Sequence, residues 1–184
     1  MKTIFYLLFF IFFISCKSAK NDSEIVDINT RVEYFENGKV KSVGNVFIKK
    51  SDSLTYKYFK DSYKPRIGFW NEFYENGKLK ASGNYKLDTY RECGVVPFDV
   101  NYSYKIGEWI YFYDNGNLKA KGIYRIGKKN RKTNCEGGYD INVGYVTDDW
   151  KFYDKNGKEI KPTTNDIKEI EESSYISEWD ILYK

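Results

Sequence analysis

Gly68-Phe69-Trp70-Asn71-Glu72-Phe73-Tyr74-Glu75-Asn76-Gly77-Lys78-Leu79-Lys80-Ala81-Ser82-Gly83-Asn84-Tyr85 is matched, 39 residues later, by Gly107-Glu108-Trp109-Ile110-Tyr111-Phe112-Tyr113-Asp114-Asn115-Gly116-Asn117-Leu118-Lys119-Ala120-Lys121-Gly122-Ile123-Tyr124. The shared frame is G-x-W-x-x-F-Y-acid-N-G-x-L-K-A-x-G-x-Y. Self-similarity at a fixed period marks an architecture in which each unit buries its apolar face against its neighbours. A weaker copy lies upstream, Tyr34-Phe35-Glu36-Asn37-Gly38-Lys39-Val40-Lys41-Ser42-Val43-Gly44. A damaged copy lies downstream, Trp150-Lys151-Phe152-Tyr153-Asp154-Lys155-Asn156-Gly157-Lys158, and the four Asn-Gly pairs are 39, 39 and 41 residues apart.

Asn-Gly between two strand-like runs predicts a β-hairpin, because both residues tolerate the positive φ of a type I′ turn. The predicted turns are Asn37-Gly38, Asn76-Gly77, Asn115-Gly116 and Asn156-Gly157. A two-residue turn at Asn76-Gly77 would set Tyr74 opposite Leu79, Phe73 opposite Lys80, Glu72 opposite Ala81 and Trp70 opposite Gly83. Side chains alternate along a strand. One face then carries Trp70, Tyr74, Leu79, Ala81 and Gly83, and in the next copy Trp109, Tyr111, Tyr113, Leu118, Ala120 and Gly122. The small residue opposite each Trp leaves room for the indole to lie across its own hairpin. Trp150 holds the same place in the fourth copy. These aromatics are either the core of the sheet or a flat platform on which a carbohydrate stacks. The linking segments repeat as well. Phe98-Asp99-Val100-Asn101-Tyr102-Ser103-Tyr104 matches Tyr139-Asp140-Ile141-Asn142-Val143-Gly144-Tyr145 at an offset of 41. Each unit is thus a hairpin plus a long excursion that returns to the sheet.

This frame resembles the MORN-repeat variant family of short hairpins, over roughly residues 31–161. The resemblance implies an all-β fold: an elongated antiparallel meander of repeated hairpins used for binding or assembly. It implies no catalytic residues and no cofactor.

The first residues tell of export. Met1-Lys2-Thr3 precedes an apolar run from Ile4 to Ile14, then Ser15-Cys16-Lys17. A positive start and an apolar run of about a dozen residues have the layout of a secretory signal. The run falls short of the roughly 20 apolar residues a spanning helix needs. Phe13-Ile14-Ser15-Cys16 resembles the lipobox of bacterial lipoproteins, with Phe where Leu is usual. The resemblance implies cleavage before Cys16 and acylation of that cysteine. Two or more acyl chains give stable attachment where one gives marginal binding. Residues 1–15 are then a signal peptide and 16–30 a lipidated flexible tether. The expected location is a bacterial membrane, the outer one for preference, reached by export. Cleavage leaves 169 of 184 residues and, with Lys2 gone, lowers the net charge from +4 to +3. That excess is too small to argue for nucleic acid.

Composition points the same way. Aromatic residues make up 19%, with one Met and three Pro, which favours strands. There is no histidine, so the commonest general base and the commonest zinc ligand are both missing, and a Ser-His or Cys-His nucleophile is impossible. No metal site is expected. A glycosidase-type carboxylate pair stays formally open, but Asp148-Asp149 and Glu171-Glu172 read as solvated surface.

Residues 162–184 follow the repeats as a cap. Asn165 to Glu172 predicts a short helix capped by Asn165 or Thr164, and Tyr175 to Tyr183 is apolar enough to dock on the last hairpin. Cys93 and Cys135 sit at matching places in successive excursions. Outside the cytoplasm leftover cysteines tend to pair. Equivalent residues four strands apart in one sheet would be near 19 Å, too far. Excursions that leave the sheet would bring them to about 10 Å, and flexible loops could close the rest. The two cysteines are therefore either a disulfide or two separate small hydrophobes. Lys128-Lys129-Asn130-Arg131-Lys132 is a solvated loop or a contact for anionic headgroups or cell-wall polymer. Together these readings describe a non-catalytic envelope lipoprotein that binds a protein or envelope polymer. The alternative is an antitoxin or immunity-type protein that neutralises a toxin partner.

Overall fold

The computed structural model describes residues 26–49, 64–173 and 175–177. The signal peptide, Cys16, the first ten residues of the tether and residues 178–183 of the predicted docking tail lie outside them. The strands are β1 (Val26–Tyr34), β2 (Val40–Lys49), β3 (Arg66–Phe73), β4 (Leu79–Glu92), β5 (Phe98–Phe112), β6 (Leu118–Arg131), β7 (Tyr139–Tyr145), β8 (Lys151–Tyr153), β9 (Glu159–Ile160) and β10 (Tyr175–Ser177). One helix, α1 (Thr164–Glu172), separates the last two. The order across the sheet is β1-β2-β3-β4-β5-β6-β8-β9, and every pairing is antiparallel. The fold is the all-β meander that the repeats predict.

The alternation that shapes it is plain in β4. Ala81, Gly83 and Tyr85 are buried, while Lys80, Asn84 and Lys86 are exposed. The tether is shorter than expected. Val26 to Thr30 already pair with Lys49 to Asn45, because Val26, Ile28 and Thr30 give the alternating β-branched pattern that strands favour.

The turns differ from the predicted type. Tyr74 N–H donates to the Lys78 carbonyl at 2.9 Å and Gly77 N–H to the Tyr74 carbonyl at 2.8 Å. Only the glycine has positive φ, +84° at Gly77, and Asn76 does not. This is a three-residue loop: a type I turn followed by a left-handed glycine that forms a bulge. The same pattern closes at Gly38, Gly116 and Gly157. The bulge absorbs one residue, so Phe73 faces Leu79, where a two-residue turn would set it against Lys80. Beyond it the expected register holds, with Glu72 opposite Ala81 and Trp70 opposite Gly83.

The tryptophans also lean the other way. Trp70 is flanked by glycine on both sides, Gly44 in β2 and Gly83 in β4. A Cβ on Gly44 would come within 2.3 Å of the Trp70 ring, whereas a Cβ on Gly83 would meet Trp109 at 2.3 Å. Each indole thus lies over the hairpin before its own. Trp150 lies over Gly122 in the same manner. The indole N–H fixes the lean, donating to the carbonyls of Asn45, Asn84 and Ile123 from Trp70, Trp109 and Trp150 at 2.9, 3.1 and 3.0 Å. Contacts to the following repeat run along the turns. The Tyr74 and Tyr113 hydroxyls donate to the Phe112 and Tyr153 carbonyls, and the Asn76 and Asn115 amides donate to those of Asp114 and Lys155.

The excursions leave the shared sheet as hairpins. β5 pairs with β6 from Gly107 to Phe112 only. Past Gly107 (φ +65°) the two strands part. β4 and β5 continue as one long hairpin, and Arg125 to Arg131 of β6 pair instead with β7. Tyr90, Val100, Tyr102 and Tyr104 of the first hairpin pack with Ile141 and Val143 of the second. Face-to-face stacking brings the two tips together. Cys93 and Cys135 are joined as a disulfide, with Cα atoms 4.7 Å apart, far closer than either spacing the sequence suggests.

α1 starts one residue before the predicted position. Its N-cap is Thr163, in a reciprocal capping box with Asp166, which satisfies two backbone donors at once. Ile170 of α1 joins Tyr124, Trp150 and Phe152 in the core. β10 docks away from the last hairpin, pairing with Tyr102–Tyr104 of β5. That edge lies open because β6 has already turned away.

Candidate functional site

The repeat aromatics lie inside. Trp70 and Trp109 are 0% exposed and Trp150 is 5%. Tyr85 stands edge-on between Trp70 and Trp109, and Tyr124 between Trp109 and Trp150. Burying each indole removes 150–250 Å² from water, on the order of 4–6 kcal/mol at about 25 cal/mol per Å². The row is structural core, not an open stacking platform. Tyr74 and Tyr113 are half-buried and their hydroxyls are spent on the next repeat.

Two residues outside the G-x-W frame sit on this row. Arg66 and Lys105 each stand four positions before a repeat tryptophan. The guanidinium carbon of Arg66 is 4.2 Å from the Trp70 ring centre, and Nζ of Lys105 is 4.2 Å from that of Trp109. Desolvated cation–π contacts of this kind are worth about 2 kcal/mol. A frame starting at Lys/Arg-Ile-Gly-x-Trp would have revealed them.

Arg66 is held by charge. It donates to Glu72 Oε1 at 2.7 Å, to Glu33 Oε2 at 3.0 Å and to the Tyr85 hydroxyl at 3.4 Å. Burial pushes the Glu72 carboxyl up, but Lys105 and Arg66 outweigh it and hold it below its ordinary value. For Glu33 burial again opposes, and the Ser42 hydrogen bond with Arg66 and Arg31 brings the net shift down.

Lys105 has hydroxyl partners. It is 2% exposed and donates to Tyr111 at 3.0 Å and Ser173 at 3.1 Å. The Tyr111 and Tyr124 hydroxyls are 2.7 Å apart, and Tyr124 donates to the Ile170 carbonyl of α1 at 3.2 Å. Since Tyr124 spends its proton there, Tyr111 donates to Tyr124. The result is a one-way chain from ammonium to helix carbonyl. Burial pushes the Lys105 ammonium down to about 8, with Glu72 pulling it back up. Burial pushes the Tyr124 and Tyr111 phenols well up.

Among the described residues the excursion tips form the most exposed apolar feature. In the link Cys93-Gly94-Val95-Val96-Pro97, Val95 is 105% exposed and Val96 is 74%. Phe98 and Tyr139 stand exposed beside them. Inside, Asn142 N–H donates to the Tyr102 hydroxyl and its amide to Asp88, tying the two hairpins. Glu92 accepts from the Asn134 N–H beside the disulfide. The basic run is not a loop, since Lys128 to Arg131 belong to β6 and pair with β7. Arg131 lies 5.0 Å from the Tyr90 ring and Lys129 is 5.1 Å from that of Tyr175, while Lys128 and Lys132 are exposed. Among the described residues no cluster of three or more His, Cys, Asp or Glu could hold a metal ion.

Residues 29–46, 70–87 and 105–125 each match the family described as MORN repeat variant. Neither the curated proteins nor the solved structures yield a match to the chain.

Proposed function

From a chain that belongs to the MORN-repeat variant family, whose repeats are non-catalytic binding modules, we propose a lipid-anchored scaffold of the bacterial cell envelope. It engages a protein or another envelope component. One observation carries this reading. The repeats enclose their aromatics as core, while the two stacked excursions present exposed apolar and basic side chains. The repeat sheet is then the mount and the excursions are the contact surface. The signal-like start and Cys16 supply the anchor, and the Cys93–Cys135 bridge suits an oxidising compartment.

The same bridge favours an exported immunity-type protein over a cytoplasmic antitoxin, should the partner prove to be a toxin. Cys16→Ser tests the anchor. Radiolabelled palmitate should mark the wild type only, and the variant should leave the membrane fraction or stay unprocessed. Equal membrane retention of an unlabelled, processed variant would overturn the lipoprotein reading. Crosslinked pull-down from intact envelopes with the full lipidated chain identifies the partner.

A further inference from the structure

The strands give the molecule two distinct ends. The turns at Gly38, Gly77, Gly116 and Gly157 mark one. β1 begins and β2 finishes at the other, where Val26 pairs with Lys49. β4 runs from its turn toward that second end and continues to Glu92. The chain's entry at Val26 and the disulfide-tied tips therefore share one end of the sheet. From Gly44 to Lys49 is five residues, whereas from the equivalent Gly83 to Glu92 is nine. At about 3.3 Å per residue the tip projects on the order of 13 Å further along the strand direction.

Cys16 to Val26 is ten residues, a chain that reaches at most about 35 Å. A lipid on Cys16 would hold that same end close to a bilayer. The tip's chemistry suits such a surface. Cys93 to Phe98 contains no charge and presents Val95 fully, and Val96 largely, to solvent. On the second hairpin Lys132 is exposed just past the end of β6, and Lys128 is exposed further back along the strand, opposite Asn142. Of the local acids, Glu92 is buried and bonded to Asn134, and Asp99 is paired with Arg91. Glu136 and Asp140 remain exposed on the flank.

Burying a valine in the acyl boundary and setting a lysine beside an anionic surface are each weak contacts. These are marginal from free solution, but a tether makes the encounter intramolecular and lets a weak contact dominate. We propose that the Cys93–Pro97 tip, locked to the second tip by the Cys93–Cys135 bridge, is a foot that rests in the lipid surface. Val95 and Val96 enter the boundary between headgroups and acyl chains of the bilayer that anchors Cys16. The proposal rests on the lipoprotein reading and adds to it the orientation of the domain. The Asn-Gly turns then point away from the membrane.

The test uses the full chain in vesicles of phosphatidylethanolamine and phosphatidylglycerol, with Val95→Trp and, separately, Val96→Trp as reporters against the wild-type background. Flotation reads attachment, and brominated acyl chains read depth. The expected result is co-flotation, blue-shifted added emission, loss of most of it to brominated lipid, and protection from acrylamide. Adding Val96→Asp to the Val95→Trp variant should return the emission to the red while flotation persists. Flotation with red emission freely quenched by acrylamide would overturn the foot and leave the anchor standing. Blue emission that appears only when other envelope proteins are added would overturn it in favour of a protein contact. Failure to float would overturn both readings together.

Discussion

The second and third repeats place three side chains at the same positions around the same ring, with different chemistry. In one the trio is Arg66, Glu72 and Tyr85 beside Trp70. In the other it is Lys105, Tyr111 and Tyr124 beside Trp109. The positions correspond at an offset of 39 residues. An ion pair has become a chain of hydroxyls, and an arginine that cannot lose its proton has become a lysine that can. One repeat further on, Val146 and Phe152 occupy the first two places, wholly apolar and packed in the core beside α1. Polarity falls from the open edge of the sheet toward its capped edge. The lesson is that the repeat fixes where a side chain stands, while the depth of cover decides which chemistry can stand there. Near water two carboxylates can accompany a cation, but under the helix each buried charge would cost several kcal/mol.

The strongest way to break the comparison is to remove the ring common to both. Trp70→Ala and Trp109→Ala should each destabilise by about 3–5 kcal/mol, read by thermal or urea melts. Equal melts for wild type and both variants would mean the rings are not the core they occupy. The cations should then separate the two sites. Arg66→Met strands Glu33 and Glu72 half-buried and should cost about 2–3 kcal/mol, less than a fully buried pair because water reaches it. Lys105→Met leaves hydroxyls behind, with Glu72 still paired to Arg66, and should be near neutral or stabilising. A larger loss from Lys105→Met would refute the contrast.

Titration gives a smaller and signed effect. Lys105 has its folded pKa lowered to about 8 from an ordinary 10.5. Between these values the unfolded chain holds a proton that the folded chain has released, so stability rises with pH. At 1.36 kcal/mol per unit the gain is about 2 kcal/mol from pH 8 to 10. Above pH 10 the raised phenols of Tyr111 and Tyr124 reverse the slope, because the unfolded chain then loses protons first. Lys105→Met should flatten the rise and keep the fall. A wild type whose stability is level or declining from pH 8 to 10 would contradict the assignment. The smallest effect is a transplant. Arg66→Lys with Glu72→Tyr copies the third trio into the second. Its cost should fall short of the two single costs together by about 1 kcal/mol, as expected for side chains in one network. Strict additivity in denaturant melts would show that the trios are not units.

Much of this was legible in the sequence. The Trp and Ala-x-Gly spacing predicts the hairpins, their outer register and an aromatic interior face. Asn-Gly does not by itself distinguish a two-residue turn from a bulged three-residue loop, since the glycine takes positive φ in both. The lean of each indole was hidden because Trp70 has glycine on either side, Gly44 and Gly83. Only the seating of Trp109 on Gly83 shows which glycine each ring uses. Arg66 and Lys105 are not legible as core residues, because a lysine or arginine before a strand ordinarily reads as surface. The meeting of Cys93 with Cys135 depends on where β5 and β6 diverge, a tertiary event that no local pattern encodes.

The lean of the indoles has a temporal side. A hairpin cannot cover its own glycine and must wait for the tryptophan of the next segment to arrive. A chain released N-terminus first would therefore close as a ratchet, each newcomer locking the unit already out. At the fourth unit it is Ile170 of α1, close by in sequence, that packs with Trp150 and Phe152. The helix thus does for the fourth unit what the next tryptophan does for each unit before it.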